Sequence, residues 1–247
     1  RVEPVDRRQF GVVVVNGARN LLYGPNGLGG AIDVMTRSPT QPFADLTVET
    51  APARALRATA AGGSSIARIG AVAGVTGDFT RYTRLPSSFE RTYYEDGGRR
   101  DNSDQRTGSG WSKFVVDLGR DHELVLHAMR TQGRYGVPPA TVSLAPRYWR
   151  WSDWQLSTVA VGHAYRGSTF SLDQKLYVMD AGNTLDSYDN DSYSTELTGR
   201  AFHSVYDEGS VGGVVRALLR PAGDEGGWDL RSWWGLRRDA HSGRADR

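Results

Sequence analysis

The sequence predicts an all-β chain: the wall of an antiparallel transmembrane β-barrel, preceded by the end of a smaller α+β domain. From Phe43 onward, segments of alternating apolar and polar residues recur. Most are as long as the about 9 to 11 residues a tilted strand needs to cross a bilayer, where globular strands run nearer 5 or 6. The connections alternate between short and long, as in barrels with short turns on one side of a membrane and long loops on the other. The composition is that of a glycine- and aromatic-rich β protein, with 30 Gly, 7 Trp, 11 Tyr and no Cys in 247 residues.

Val12 to Val15 favour a buried strand, because branched side chains pack well on a pleated surface. Gly17 ends it. Gly24, Pro25, Asn26, Gly27, Gly29 and Gly30 follow as a tight loop, and Ala31 to Thr36 form a second strand. A dinucleotide fingerprint needs G-x-G-x-x-G opening a helix directly after the strand. Here Gly17 is followed by Ala18-Arg19-Asn20 and the later glycines precede a strand, so that reading is rejected.

The next strands are expected near 43–50, 56–62, 66–76, 107–118, 122–131, 154–165, 169–179, 193–205, 210–220 and 228–238. Their two faces differ, as the period of two requires. Phe170, Leu172, Leu176 and Val178 oppose Ser171, Asp173 and Lys175; Trp228, Leu230, Trp234 and Leu236 oppose Asp229, Arg231 and Arg237. Short turns are expected at 62–65, 119–121, 166–168 and 206–209. Long loops are expected at 78–106, 132–153 and 180–192, with shorter outer loops at 51–55 and 221–227.

Near-equal acid and base, with a net charge of +2, argue against a nucleic-acid partner. A mean hydropathy of −0.49 leaves no run of about 20 apolar residues for a membrane helix, which does not bear on barrel strands. Neither a signal peptide nor an initiating Met stands at Arg1-Val2-Glu3-Pro4, so the chain is expected to be an internal piece of a longer protein.

The stretch from Asn16 to Arg37 resembles the end of the plug domain of TonB-dependent outer-membrane receptors, through Gly17, Leu22, Tyr23, Gly24, Gly29, Gly30, Asp33 and Thr36. The resemblance implies that residues 1–40 close a plug and that 41–247 begin a barrel of about 22 strands. It further implies energy-coupled uptake of a scarce nutrient across the outer membrane of a Gram-negative bacterium, with a ferric siderophore first among the ligands and cobalamin or a saccharide as alternatives. The implied partners are the TonB complex, through a segment outside this chain, and outer-membrane lipid and lipopolysaccharide. Val13 and Asn16 stand where the family carries Glu and a basic residue, which weakens an electrostatic lock between plug and barrel. Asp33 replaces a usual Asn and needs an Arg or water partner.

Candidate ligand contacts are the aromatics and arginines of the long loops: Tyr93, Tyr94, Arg99, Arg100, Tyr135, Tyr148, Trp149, Trp151 and Tyr188. Aromatics offer rigid apolar area with a polar handle, and Arg pairs with carboxylate or catecholate oxygens in a bidentate way. The competing role for Trp149, Trp151 and Trp154 is the interfacial girdle that anchors a barrel in lipid. His122, His127, His163, His203 and His241 have no metal-ligand spacing. Asp186, Asp189 and Asp191 lack the glycine and terminal Glu of a calcium loop. Gly167-Ser168 and Gly108-Ser109-Gly110 do not fit a nucleophile elbow. No enzyme, metal or cofactor is therefore expected. A passive porin-like or adhesive barrel, and a secreted carbohydrate-binding sandwich, remain as rival readings.

Overall fold

The computed structural model describes residues 11–16, 30–35, 37, 39, 41–51, 55–143, 145–220 and 230–246. All regular structure among them is strand, in chain order β1 (Gly11–Asn16), β2 (Gly30–Met35), β3 (Phe43–Ala51), β4 (Ala55–Ile66), β5 (Ile69–Thr80), β6 (Thr83–Arg84), β7 (Arg99–Arg100), β8 (Gln105–Gly119), β9 (His122–Val137), β10 (Tyr148–Arg166), β11 (Phe170–Tyr188), β12 (Phe202–Leu219) and β13 (Leu230–Asp246). Strands β1 and β2 pair antiparallel with Val13 opposite Asp33. The short β6 and β7 pair within a loop. The other nine form one open antiparallel sheet, β13-β12-β11-β10-β9-β8-β5-β4-β3. Every neighbour in the sheet is thus the next or previous of these strands along the chain, which makes the sheet a meander.

The two faces of this sheet have opposite chemistry. One carries Leu46, Val75, Phe114, Leu126, Val159, Leu176, Val178, Trp234 and Leu236, all of them exposed; Leu176 keeps 64% and Leu236 81% of its surface. A water-soluble protein rarely leaves so large a contiguous apolar patch uncovered. The expected alternation at Phe170, Leu176, Leu230 and Leu236 is therefore real, with the apolar side turned outward. Register carries the band from strand to strand, with Phe114, Leu126, Val161, Leu176 and Leu236 in one cross-strand row through Gly213.

On the inner face, the segment leading into β3 lies against the wall. Arg37 pairs with Asp45 at 2.8 Å and lies over the Phe43 ring at 3.7 Å, while Lys113 Nζ donates to the Arg37 carbonyl at 3.4 Å. Pro39 is buried, so close to Gly70 that a Cβ there would sit 2.5 Å from its ring. Val72, 1% exposed, lies on the same face.

Five sequence expectations need correction. The strands drawn at 193–205 and 210–220 are the single strand β12 after a loop, so the sheet has nine strands in place of ten. Tyr206, Asp207, Glu208 and Gly209 form no turn, being paired on both sides with β11 and β13. Gly62-Gly63-Ser64-Ser65 likewise lie inside β4. Gly63 is there for close packing, since a Cβ would meet the Phe43 ring and Val72 at 2.9 Å, and the turn falls at Ala67-Arg68 with Ala67 at φ 52°. The loop drawn at 132–153 is shorter, because β9 runs to Val137 and β10 starts at Tyr148, and the one drawn at 180–192 is displaced to 189–201, because β11 runs to Tyr188 and β12 starts at Phe202. Finally, with no turn at 206–209, the connection between Leu219 and Leu230 belongs to the short-turn end of the sheet and not to the loop end. The turn at 119–121 is confirmed, with Gly119, Arg120 and Asp121 all at positive φ, and so is the turn after Arg166.

An outward leucine tests the orientation of the wall. Leu176→Arg should lower the stability of the folded barrel in lipid by about 2–4 kcal/mol, the cost of a guanidinium facing acyl chains near the bilayer centre. Lys175→Arg, one residue earlier on the inner face, should change it by less than about 0.5 kcal/mol. Urea titration of the full-length protein in vesicles reads both.

Candidate functional site

Strands β10 and β11 are 19 residues each, about 63 Å at 3.3 Å per residue. That exceeds what a tilted bilayer crossing requires, so their loop ends stand clear of the apolar band and form a rim. At the rim a β-bulge between Trp151 and Asp153 shifts the register of β10 against both neighbours, and such bulges re-aim side chains.

The register sets Trp149 opposite Ser187, Trp151 opposite Leu185 and Trp154 opposite Asn183. On β11 these partners alternate with the outward Leu176 and Val178, so all three tryptophans share the inner face. Tyr135 lies 6.2 Å from Trp151, ring centre to ring centre, and Phe202 lies 6.0 Å from Trp149. Trp149 Nε1 donates to Ser187 Oγ at 3.1 Å. Ser187 Oγ in turn donates to the Arg200 carbonyl at 3.3 Å. The result is an aromatic surface on the lumen side of the mouth, with its central indole held in orientation. The girdle role set out above for Trp149, Trp151 and Trp154 does not fit this face.

On the opposite face of the same rim, Tyr148 and Tyr188 pack edge-on against Tyr193 at 5.9 and 5.7 Å. Arg150 lies 5.8 Å from the Tyr193 ring and donates to Asn102 Oδ1 at 2.5 Å and Asp104 Oδ2 at 2.6 Å. Asn102 Nδ2 donates to the carbonyls of Val137 at 2.8 Å and Trp149 at 2.7 Å. Asn102 approaches so closely that any Cβ at Gly136 would clash with it. This clamp ties the 81–104 loop to the rim. Burial pushes the Asp101 carboxyl and the Tyr193 hydroxyl above their ordinary values.

Of the expected ligand contacts, the structure therefore brings Tyr135, Trp149 and Trp151 together and separates the rest. Tyr148 and Tyr188 belong to the outward cluster. Arg100 is occupied by Glu95, whose side chain is fully buried, and by the Pro139 carbonyl, so it organises the loop. Arg99 covers Tyr82 at 4.8 Å. Tyr93, 93% exposed, stands edge-on to Tyr94 at 4.8 Å. Gly17, Leu22, Tyr23, Gly24, Gly29 and Thr36 lie outside the described residues, as does the side chain of Asp33, while Gly30 opens β2 opposite Asn16.

The reading missed Asn102, Arg150, Tyr193 and Phe202. Its signal was available only for Arg150, an arginine inside a run of aromatics. Asp186, one of the acids likened to a calcium loop, pairs with His203 at 2.6 Å. Asp189 accepts hydrogen bonds from the backbone N–H groups of Leu197 at 2.8 Å and Thr198 at 2.9 Å, and from Thr198 Oγ1 at 2.7 Å. Those bonds hold its carboxyl well below the usual range.

Such a wall, with an apolar outside, a packed inside and a rim of extended strands, has the architecture of part of a transmembrane β-barrel. No family model and no curated protein sequence matches the chain, but solved structures do. It is similar to the copper transporter OprC, with a TM-score of 0.76 and 13% identity over 96% of this chain and 35% of that one. It is similar also to the ferripyoverdine receptor of the outer membrane of Pseudomonas aeruginosa (TM-score 0.70, 14% identity, 95% and 32% covered). A further match is the FrpB iron transporter from Neisseria meningitidis (TM-score 0.60, 13% identity, 95% and 48% covered). The chain thus spans about a third to a half of these proteins, and at such identities the likeness establishes the fold. It is the fold of TonB-dependent receptors that the resemblance implied.

The Asp189 bonds predict how the 189–201 loop answers to pH and mutation. A carboxyl with a depressed folded pKa contributes stability above its unfolded pKa and loses it as pH falls through the folded one. Loop protection from hydrogen exchange at Leu197 and Thr198 should therefore hold at neutral pH and fall only in strong acid. Asp189→Ala should abolish it at pH 7.

Proposed function

We propose that this chain is part of a TonB-dependent outer-membrane receptor, with residues 1–40 the end of the plug and 41–247 the opening strands of the barrel. The receptor takes up a scarce nutrient in an energy-coupled way, with a ferric siderophore as the first candidate. The observation that carries this reading is the packing of Arg37 and Pro39 on the inner face, against Asp45, Gly70 and Lys113. A passive pore keeps its interior wet and polar, whereas here Arg37 and Pro39, ahead of the first wall strand, pack on that face.

The lumen-facing aromatics supply the rest. Tyr135, Trp149, Trp151 and Phe202 offer flat apolar area to a ligand entering from the loop side, and the bond from Trp149 to Ser187 fixes the geometry in advance. By this reading the clamp formed by Arg150, Asn102 and Asp104 shapes the mouth without touching the ligand. The ligands of two of the similar structures, ferripyoverdine and copper, fit a metal or a metal chelate as cargo. The TonB complex is the partner that would drive its release inward.

The experiment is uptake of iron-55 siderophores by cells that carry the full-length gene, its deletion, or the gene without a functional TonB complex. Uptake should be lost in both altered strains. Uptake that persists without TonB would establish a passive pore instead. Trp151→Ala and Tyr135→Ala should each weaken binding of the transported siderophore by about 5- to 30-fold, the range of a buried aromatic contact worth about 1–2 kcal/mol, while the barrel melts unchanged.

A further inference from the structure

Two of the histidines meet at a place that spacing along the chain conceals. His122 opens β9 and His163 lies near the end of β10, 41 positions away, and Nδ1 of the first stands 3.0 Å from Nε2 of the second. The register sets His122 opposite Tyr165 and His163 opposite Leu124, in the same parity as the outward Leu126 opposite Val161. Both rings therefore stand on the outward face, at the short-turn end of the sheet. Their centres are 5.3 Å apart with 20° between the planes. That distance exceeds the nitrogen gap by two ring radii, so the rings meet edge to edge and the two nitrogens face each other.

Tyr165 and Phe170, 6.2 Å apart, already supply aromatic rings of the kind an interfacial belt uses at this height. The imidazole pair adds something a belt does not need. Its seat is built: the Tyr165 ring lies 4.7 Å from that of His122, and the Tyr165 hydroxyl comes so near the following turn that a Cβ at Gly167 would be 2.6 Å from it. Both imidazoles are half-buried, which limits their rotamers and leaves an edge to water. A neutral imidazole carries one N–H, so one ring donates to the other across the gap. The pair offers two lone pairs once that proton moves to the donor ring's other nitrogen.

We propose that His122 and His163 form a two-imidazole site for a divalent transition-metal ion, Cu²⁺ before the others. With metal–nitrogen bonds of about 2.0–2.1 Å, nitrogens 3.0 Å apart subtend about 91–97° at the ion. That is close to the right angle of tetragonal Cu²⁺ and well short of the about 109° of a tetrahedral Zn²⁺ site. The Irving–Williams order favours Cu²⁺ at an imidazole pair as well. Rotation of both rings about their Cβ–Cγ bonds turns the two lone pairs from each other to a common point on the water side. Both rings then bind as neutral ligands, and at neutral pH no net proton is released. Water fills the remaining positions.

The ion lies on the outside of the wall, so it is not cargo, and its role follows from its place. His122 and Tyr165 make the last rung of the β9–β10 ladder, while the chain joins these strands at the opposite, loop end. A metal bridge there closes a long loop at the end where the ladder frays first. The inference goes beyond the transport reading and is independent of what is transported.

The test is a glycine-buffered Cu²⁺ titration of the full-length protein in detergent, followed by electron paramagnetic resonance and by heat-modifiable gel mobility. The parent should show one site with two-nitrogen coordination that H122Q and H163Q lose, its affinity falling at least about tenfold as bidentate binding becomes monodentate. Cu²⁺ should raise the temperature at which the parent's folded band disappears and leave that of both variants unchanged. H203Q, at the other end of the wall, should titrate as the parent does. Equal Cu²⁺ affinity in the parent and both variants would overturn the proposal, and so would tighter binding of Zn²⁺ than of Cu²⁺ at this site. Binding without a thermal shift would refute the bridging role. The folded band of unheated samples shows that each variant folds, and H163N takes the place of an H163Q that does not.

Discussion

In hydrocarbon, every backbone N–H and C=O must find a partner within the protein, because no water is there to take its place. The architecture follows from that constraint. A continuous antiparallel ladder from β3 to β13 satisfies the backbone laterally, and it imposes a period of two on each strand. The solvent then decides what each parity carries. Outward positions hold Leu, Val, Ala and Phe; inward ones hold Lys113, Thr158 and Lys175. A one-residue slip at any strand would exchange these sets, so the register is fixed by both solvents at once. Among the described residues the sheet is open, with the outer ladder groups of β3 and β13 at its two edges.

The same constraint explains where the sequence was legible. Strand existence follows from alternation, and it was readable for every strand of the sheet, since parity persists along 9 to 19 residues. Strand ends were misread where local turn chemistry competes with the ladder. Tyr206-Asp207-Glu208-Gly209 has the residues of a turn, yet pairing on both sides outweighs a local preference worth a few tenths of a kcal/mol. Gly62-Gly63 has a turn's composition for another reason, because the inner face admits no side chain between Phe43 and Val72 at Gly63. Glycine marks close approach as well as reversal, and a single sequence does not separate the two. Where positive φ is actually required, at Gly119 to Asp121, the turn was found.

The candidate site was half legible for a related reason. Residue type identified the aromatic rim, but type says nothing about which way a side chain points after a bulge. The irregularity at Trp151 to Asp153 resets the parity of β10, and that one extra residue places Trp149 and Trp151 on the lumen side with Tyr135. Counting straight along the strand from Val159 would have assigned them otherwise. What the arginines near the rim meet is not written beside them in the chain: Arg100 reaches the Pro139 carbonyl, and Arg150 reaches Asn102 across 48 positions.

Between rim and bilayer the wall separates its tasks by height and face. Within the hydrocarbon, the outward side chains need only be apolar and the inward ones need only suit the segment they enclose. Above it both faces meet water, so the outer one can be buried under loops without loss to the membrane anchor. That is why Tyr148, Tyr188 and Arg150 can serve as a clamp while Trp149, one residue away from both Tyr148 and Arg150, faces the lumen. Because Asn102 bonds the carbonyl of Trp149 itself, at 2.7 Å, order in the outer loop and the position of an inner indole are set by the same hydrogen bond. A ligand that selects one arrangement of the mouth must then also select one arrangement of the loop, through a single strand's thickness.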